Sequence, residues 1–267
     1  MEAKKEELII TREWLDDMGA YGNLLRAFER YFPNGGTALE VLKKCEELDY
    51  IDFGEWLVDW LPPIYPPLEL NNLIGSLFYP NDVHIKGDLS TQDSLYSKGS
   101  LKVDGKLTVH GDGKVYSSTG DVNANVIDII GKASIFLAMQ ALVKANSITM
   151  SDFSIIGADI IADNININRH AQILGDAKAK IINFKGGFIW GKVDADEIIN
   201  DGGEIREGVK TIKIQNINGE IGRNVDADEI INDGGLIRGD VKTIRIENIN
   251  GGRVAGKITY KRSDEHK

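Results

Sequence analysis

The 267-residue chain holds one cysteine, Cys45, which excludes a disulfide framework and a cysteine-based zinc site within one chain. Its four histidines, His84, His110, His170 and His266, show no metal-ligand spacing. No run of about eighteen apolar residues is present; the richest stretch, Val126 to Val143, is broken by Asp128, Lys132 and Gln140, which argues against a membrane span. The opening MEAKKEELIITREW lacks the long apolar core of a secretory signal, so a cytoplasmic protein is expected. The net charge of −10 has the wrong sign for a general nucleic-acid binder. No G-x-S-x-G, Walker A or H-E-x-x-H motif occurs. No cofactor and no metal are expected.

Proline is scarce and clustered. Five of the six prolines fall within LPPIYPPLELNNLIGSLFYP, residues 61–80, a stretch that suits neither one continuous helix nor a central strand. It divides the chain into an acidic helical module at 1–61, a connector at 62–82, a β region at 83–260 and a charged tail at 261–267. Residues 1–80 hold 15 acidic and 7 basic side chains, so most of the net charge sits there.

The helical part reads as about four short helices. Thr11 can cap the first, and residues 23–32 form the second, stopped by Pro33-Asn-Gly-Gly. Thr37 with Glu40 and Asp52 with Glu55 have capping-box spacing before the third and fourth. Trp14, Phe28, Tyr31, Phe32, Trp56 and Trp60 stand at helical spacing and read as the core of a small bundle, with a peptide groove as the alternative. Cys45 reads as buried. Asp16, Asp17, Glu46, Glu47, Asp49 and Asp59 are the candidate interaction surface, suited to a basic patch on another protein.

Internal repetition decides the fold of the rest. VDADEIINDGG occurs at 193–203 and again at 225–235, and each copy belongs to a pair of similar 16-residue units running from 193 to 256. Residues 177–192 fit the same frame. Its first position is Ala177, Val193, Val209, Val225 and Val241, and its third is small (Ala179, Ala195, Thr211, Ala227, Thr243). The sixth is Ile182, Ile198, Ile214, Ile230 and Ile246, and the eighth is Asn200, Asn216, Asn232 and Asn248. The eleventh is Gly187, Gly203, Gly219, Gly235 and Gly251, and the thirteenth is Ile189, Ile205, Ile221 and Ile237, with Val254 slipped by one residue.

Such a frame predicts stacked β coils, each paired to the coils above and below at about 4.8 Å. The Asn column can hydrogen-bond along the stack, and Gly supplies corner backbone. The second position alternates Lys178, Asp194, Lys210, Asp226, Lys242, and the fifth alternates Glu197, Lys213, Glu229, Arg245. Identical coils would stack like charges; alternating coils stack opposite ones. The DADE runs therefore read as half of a charge ladder in preference to a metal site or an acid pair for sugar cleavage. Single coils cannot stand alone: ordering each backbone costs about 1–2 kcal/mol per residue, and a coil buries about five aliphatic or small side chains. Looser runs upstream, such as GSLKVDGKLTVHGDGKVYSS and DVNANVIDIIGKASIFLA, read as irregular coils. The expected fold is α+β multidomain: a small N-terminal helical bundle followed by a right-handed parallel β-helix of about eleven coils, roughly 50 Å long.

The runs KGDLS (86–90), GSLKVDGKLTVHG (99–111) and AKAKIINFKGGFIWGKVDADEI (177–198) resemble the short-coil β-helix of bactofilins, bacterial polymer-forming cytoskeletal proteins. ITREWL followed by an FPNGG turn resembles a helical module of uncharacterised bacterial and phage proteins. The sixteen-residue period differs from the eighteen-residue coil of hexapeptide acyltransferases.

The expected function is a non-catalytic scaffold whose solenoid presents an acidic protein-binding module. Alternatives are a phage-type inhibitor of a host nucleic-acid-binding defence complex, acting by charge mimicry or steric block, and a carbohydrate-active β-helix. The helical module is placed to cover one open end of the stack, while Lys257, Lys261 and Arg262 discourage pairing at the other. A monomer or small homo-oligomer is the expected state.

Overall fold

The computed structural model describes residues 8–262; His266 and the last five residues of the charged tail lie outside them. The described residues include four helices, all N-terminal to the β region: α1 (Arg12–Asp17), α2 (Gly22–Tyr31), α3 (Ala38–Leu48) and α4 (Ile51–Trp60). The Thr11 hydroxyl accepts from the Trp14 N–H at 3.1 Å. Thr37 and Glu40 form a full capping box at the start of α3, satisfying backbone donors that the first turn leaves unpaired. Asp52 and Glu55 do not repeat it. Asp49 closes α3 in the left-handed conformation (φ 55°), so α4 starts at once after Tyr50, which makes no side-chain cap. Asp52 falls inside the first turn, where its charge favours the helix dipole.

Ile9–Ile10 and Gly36–Thr37 pair antiparallel beside the helices, and the described chain from Leu68 onward is a parallel β-solenoid. One sheet of eleven strands and one of fifteen run its length, each strand paired in parallel with its counterparts one coil before and after. The inward positions explain the cross-section. In the strand Val193–Asp201, buried residues fall at the first, third, sixth and eighth places. The strict alternation of a flat strand slips once, after the third. That slip is a corner, and in the last coil it splits the strand into Val241–Thr243 and Arg245–Ile249. Three short faces result, two in the larger sheet and a third in the smaller, where Ile189, Ile205, Ile221 and Ile237 point inward.

The solenoid begins earlier than the proline cluster suggests. Leu68–Leu70, Leu73–Ile74 and Leu77–Tyr79, within the segment expected as a connector, pair with the next coil. The four prolines at 62, 63, 66 and 67 precede the first of these strands, and the outer edge of a first coil needs no ladder donors. The sixteen-residue spacing holds from Ala177 to Val241. Upstream it widens, to 21 residues between Leu101 and Val122 and between Val122 and Val143, because strands of both sheets, such as Leu101–Gly111 and Ser134–Leu137, are longer and the turns after the third face hold extra residues.

Within the regular coils each column keeps its place. Ile198 stacks on Ile214 and Ile214 on Ile230, all fully buried, and Val193, Val209, Val225 and Val241 stack beside them. Ile246, in the last coil, is half-buried. Asn200 Nδ2 donates to Asn216 Oδ1 at 2.8 Å, Asn216 to Asn232 at 2.9 Å, and Asn232 to Asn248 at 2.9 Å. Each of the first two also donates to a glycine carbonyl, Gly203 or Gly219. Three buried amides are thereby satisfied without water.

The Gly column has two reasons: Gly187 (φ 97°) and Gly251 (φ 85°) supply the left-handed backbone expected of a corner, and the three between them do not. The left-handed corner residue is the tenth of the frame (Gly186, Gly202, Asn218, Gly234, Asn250), whereas Gly203, Gly219 and Gly235 have ordinary φ. They are glycine because a Cβ would overlap the Phe184 ring or the Asn ladder. The small third position also acts through polar contact: the Thr211 hydroxyl donates to the carbonyls of Asp196 and Lys213 across the first corner.

The charge columns register as opposites: Asp194 beside Lys210 beside Asp226 beside Lys242, and Glu197 beside Lys213 beside Glu229 beside Arg245. Arg245 pairs directly with Glu229. At the back, Lys261 does not stand out as a repelling charge. Its ammonium folds onto Asp226 (2.6 Å) and Asp228 (2.8 Å), pinning the end of the chain across two coils.

Two outcomes follow for the regular coils. Ile214→Asp places an unpaired carboxylate in the stack and should cost at least about 3 kcal/mol, read as a fall in denaturation midpoint; an unchanged midpoint would refute the register. Lys210→Asp sets three acids in one column. It should lower the melting temperature slightly, and high salt should restore part of the loss because exposed charges are screened.

Candidate functional site

The helical module forms its own core from Ile10, Leu15, Phe28, Val41, Leu42, Cys45, Phe53, Leu57, Val58 and Leu61, and this core extends onto the solenoid through Phe78 and Tyr96. Outward side chains on the third face make the junction. Phe78, Tyr96, Tyr116 and Phe136 stand one above another in register, each beside an inward aliphatic residue. Tyr96 and Tyr116 stack with ring centroids 4.5 Å apart. Phe78 lies against α4 at Gly54, where a Cβ would strike its ring. The module therefore clasps the flank of the first coils, where Phe78 and Tyr96 offer apolar surface, and through Glu46 it also covers part of the open edge of the first coil, as the sequence reading expects.

Polar contacts fix the clasp. Glu46 on α3 accepts from the Phe78 N–H at 2.9 Å, satisfying a donor of the edge strand Leu77–Tyr79. Tyr96 Oη donates to Asp59 on α4 at 3.1 Å. Lys98 Nζ donates to the carbonyls of Asp59 (2.8 Å) and Leu61 (2.7 Å) at the end of α4, where a cation suits the helix dipole.

Of the six acids proposed from sequence as an interaction surface, two thus belong to this seat. Burial pushes the Glu46 carboxyl above its ordinary range, against the opposing effect of its hydrogen bond from Phe78. The Tyr96 phenol is pushed up by burial and by the Asp59 charge. Asp59 remains exposed beside Tyr96, and the other four also face water. Asp16 pairs with Arg12, Glu47 pairs with Lys44, and Asp17 and Asp49 are exposed.

Asp49 and Asp52 flank a shallow groove lined by Asn23, Leu24, Ala27, Tyr50, Ile51 and Phe53. The aromatics are also less buried than a bundle core requires: Phe28 is buried, Trp14 and Trp56 are half-buried, and Trp60 is 52% exposed at the end of a Trp14–Trp56–Trp60 row. Cys45 is buried and its thiol is pushed up to about 12, so it carries little thiolate.

Among the described residues no group of three or more His, Cys, Asp or Glu side chains could hold a metal ion. His84 pairs with Asp104 at 2.8 Å, and His170 stacks on Phe153. No described helix is long and apolar enough to cross a membrane. The outward aromatic column is the feature the sequence reading missed. Its signal is a recurring aliphatic–aromatic pair (Leu77-Phe78, Leu95-Tyr96, Val115-Tyr116, Ile135-Phe136), obscured by spacings of 18 and 20 residues. No family model, no curated protein and no solved structure matches the chain, and these comparisons lend no support to the bactofilin-like or phage resemblance.

Folding raises the Glu46 pKa above its ordinary value of 4.5. The folded state therefore takes up this proton first as the pH falls, and the group's contribution to stability is lost as the pH rises through the raised value. Glu46→Gln keeps an acceptor for Phe78 and should flatten this part of the pH–stability curve without loss at neutral pH. Glu46→Ala strands the N–H and should cost about 1–3 kcal/mol at every pH. Chemical denaturation across the acid range measures both.

Proposed function

We propose that this protein is a non-catalytic interaction scaffold, acting in the cytoplasm, whose solenoid holds an acidic helical module in a fixed pose for a basic segment of a partner protein. The groove flanked by Asp49 and Asp52 carries this reading: Leu24, Ala27, Ile51 and Phe53 line it beside Asn23, two acids border it, and Tyr50 stands 37% exposed beside it. Such a groove suits a chain segment with Lys or Arg flanking an apolar residue, since carboxylates at a rim steer and orient a cationic partner. The seat on the solenoid supports it further. Glu46, Asp59 and Lys98 tie both α3 and α4 to strands, so binding costs little ordering of the module.

Affinity capture from the native host tests the proposal, using full-length protein beside Asp49→Lys/Asp52→Lys and a control, Glu69→Lys, on the solenoid. Retained basic proteins should fall at least tenfold with the double variant and stay constant with the control, at matched melting temperatures. Equal capture by all three would refute the groove. Salt-sensitive competition between a captured complex and duplex DNA would instead favour an inhibitor of nucleic-acid binding.

A further inference from the structure

The outward stripe that seats the helical module does not stop where the module ends. On the third face Phe136 follows Tyr116, Gly157 follows Phe136, and Leu174 and Trp190 continue the same column. Exposure separates the two stretches. Phe78 and Tyr96 are 2% and 7% exposed beneath the helices, whereas Phe136, Leu174 and Trp190 are 36%, 44% and 40% exposed.

The uncovered stretch is ordered for contact. The Phe136 ring lies across Gly157, where any Cβ would overlap it. Trp190 Nε1 donates to Gln172 at 3.3 Å, and the Arg206 guanidinium sits 3.9 Å from the Trp190 ring centroid. Both rings are therefore held in place before any partner arrives.

The uncovered stretch also repeats the polar device of the covered one. Lys98 stands two residues after Tyr96 and binds the carbonyls that end α4. Lys192 stands two residues after Trp190, at the same corner of its coil, and is exposed. From Phe136 to Trp190 the stripe climbs three coils, about 14 Å at the inter-strand spacing. A helix of ten residues, the length of α4, spans about 15 Å.

We infer that Phe136, Leu174, Trp190 and Lys192 form a second docking surface, which takes an amphipathic α-helix of a partner protein with its C-terminal carbonyls at Lys192. The choice of a helix rests on continuity: the same column, with the same aromatic-then-lysine arrangement, already holds a helix of this chain. This surface is separate from the acidic groove and does not depend on it.

A hydrocarbon-stapled, fluorescein-labelled peptide with the α4 sequence IDFGEWLVDWL is the probe, added to the full-length protein and followed by anisotropy. Saturable binding is expected, weakened at least tenfold by Trp190→Ser or Leu174→Asp and several-fold by Lys192→Glu. Ile74→Ser, at a side chain 89% exposed and away from the stripe, should leave it unchanged. The altered side chains all point outward, and unchanged melting curves will show that each variant folds. No saturable binding, or equal binding by every variant, overturns the inference. A soluble glucan or xylan hexasaccharide that binds in a Trp190-dependent way while the peptide does not would make the stripe a sugar platform instead. A concentration-dependent dimer lost in Trp190→Ser would assign it to a second copy of this chain.

Discussion

The structure depends on one constraint: parallel coils stacked in register place each side chain directly beside its counterpart one coil away. In most folds a residue meets unlike neighbours. Here Ile214 meets Ile198 and Ile230, and Asn216 meets Asn200 and Asn232. Aliphatic side chains tolerate such like-on-like contact, and amides exploit it, because each carries both a donor and an acceptor and can pass a hydrogen bond along the column. Charges do not tolerate it unaided: in the two columns of the larger sheet the coil types alternate, and on the third face, where Glu204 lies beside Glu220, Arg206 and Arg238 pair with the two acids. The hydrophobic core, the Asn ladder and the charge columns are three responses to the same geometry.

Stacking also acts on the outside. Strand alternation that buries Leu95, Val115 and Ile135 must present Tyr96, Tyr116 and Phe136 outward, one above another. An outward aromatic column is apolar surface that water does not favour, and the N-terminal helices cover its first part. Lys98 and Glu46 then match the polar ends of helix and strand to each other. The module is thus an extension of the solenoid's flank that also covers part of its first edge strand.

Much of this was legible in the sequence where a local rule operates alone. The columns from Ala177 onward follow from a strict period, and the caps at Thr11 and Thr37 from a short motif with one geometry. The first coil was hidden, since strands of two or three residues among prolines carry no periodicity of their own, and Leu68–Leu70 is a strand only because Val83–Ile85 lies beside it. The roles of Glu46 and Asp59 were hidden for a related reason. An acid on a short helix reads as a solvated charge until the tertiary structure brings Phe78 and Tyr96 to it. The aromatic column repeats, but at spacings that vary with turn length, so no single frame displays it.

The alternation of coil types has a consequence for how such a molecule can change in length. Loss of one coil, residues 209–224 for example, would join Asp194 to Asp226 and Glu197 to Glu229, acid against acid in both columns. Loss or gain of two coils restores the opposite-charge pairing in both of these columns. The unit that preserves these columns is therefore the 32-residue pair, which matches the distance between the two copies of VDADEIINDGG. Under this parity rule the rod lengthens or shortens in steps of about 9.6 Å, twice the inter-strand spacing. Whatever engages its far end is displaced from the helical module by that increment and no smaller one.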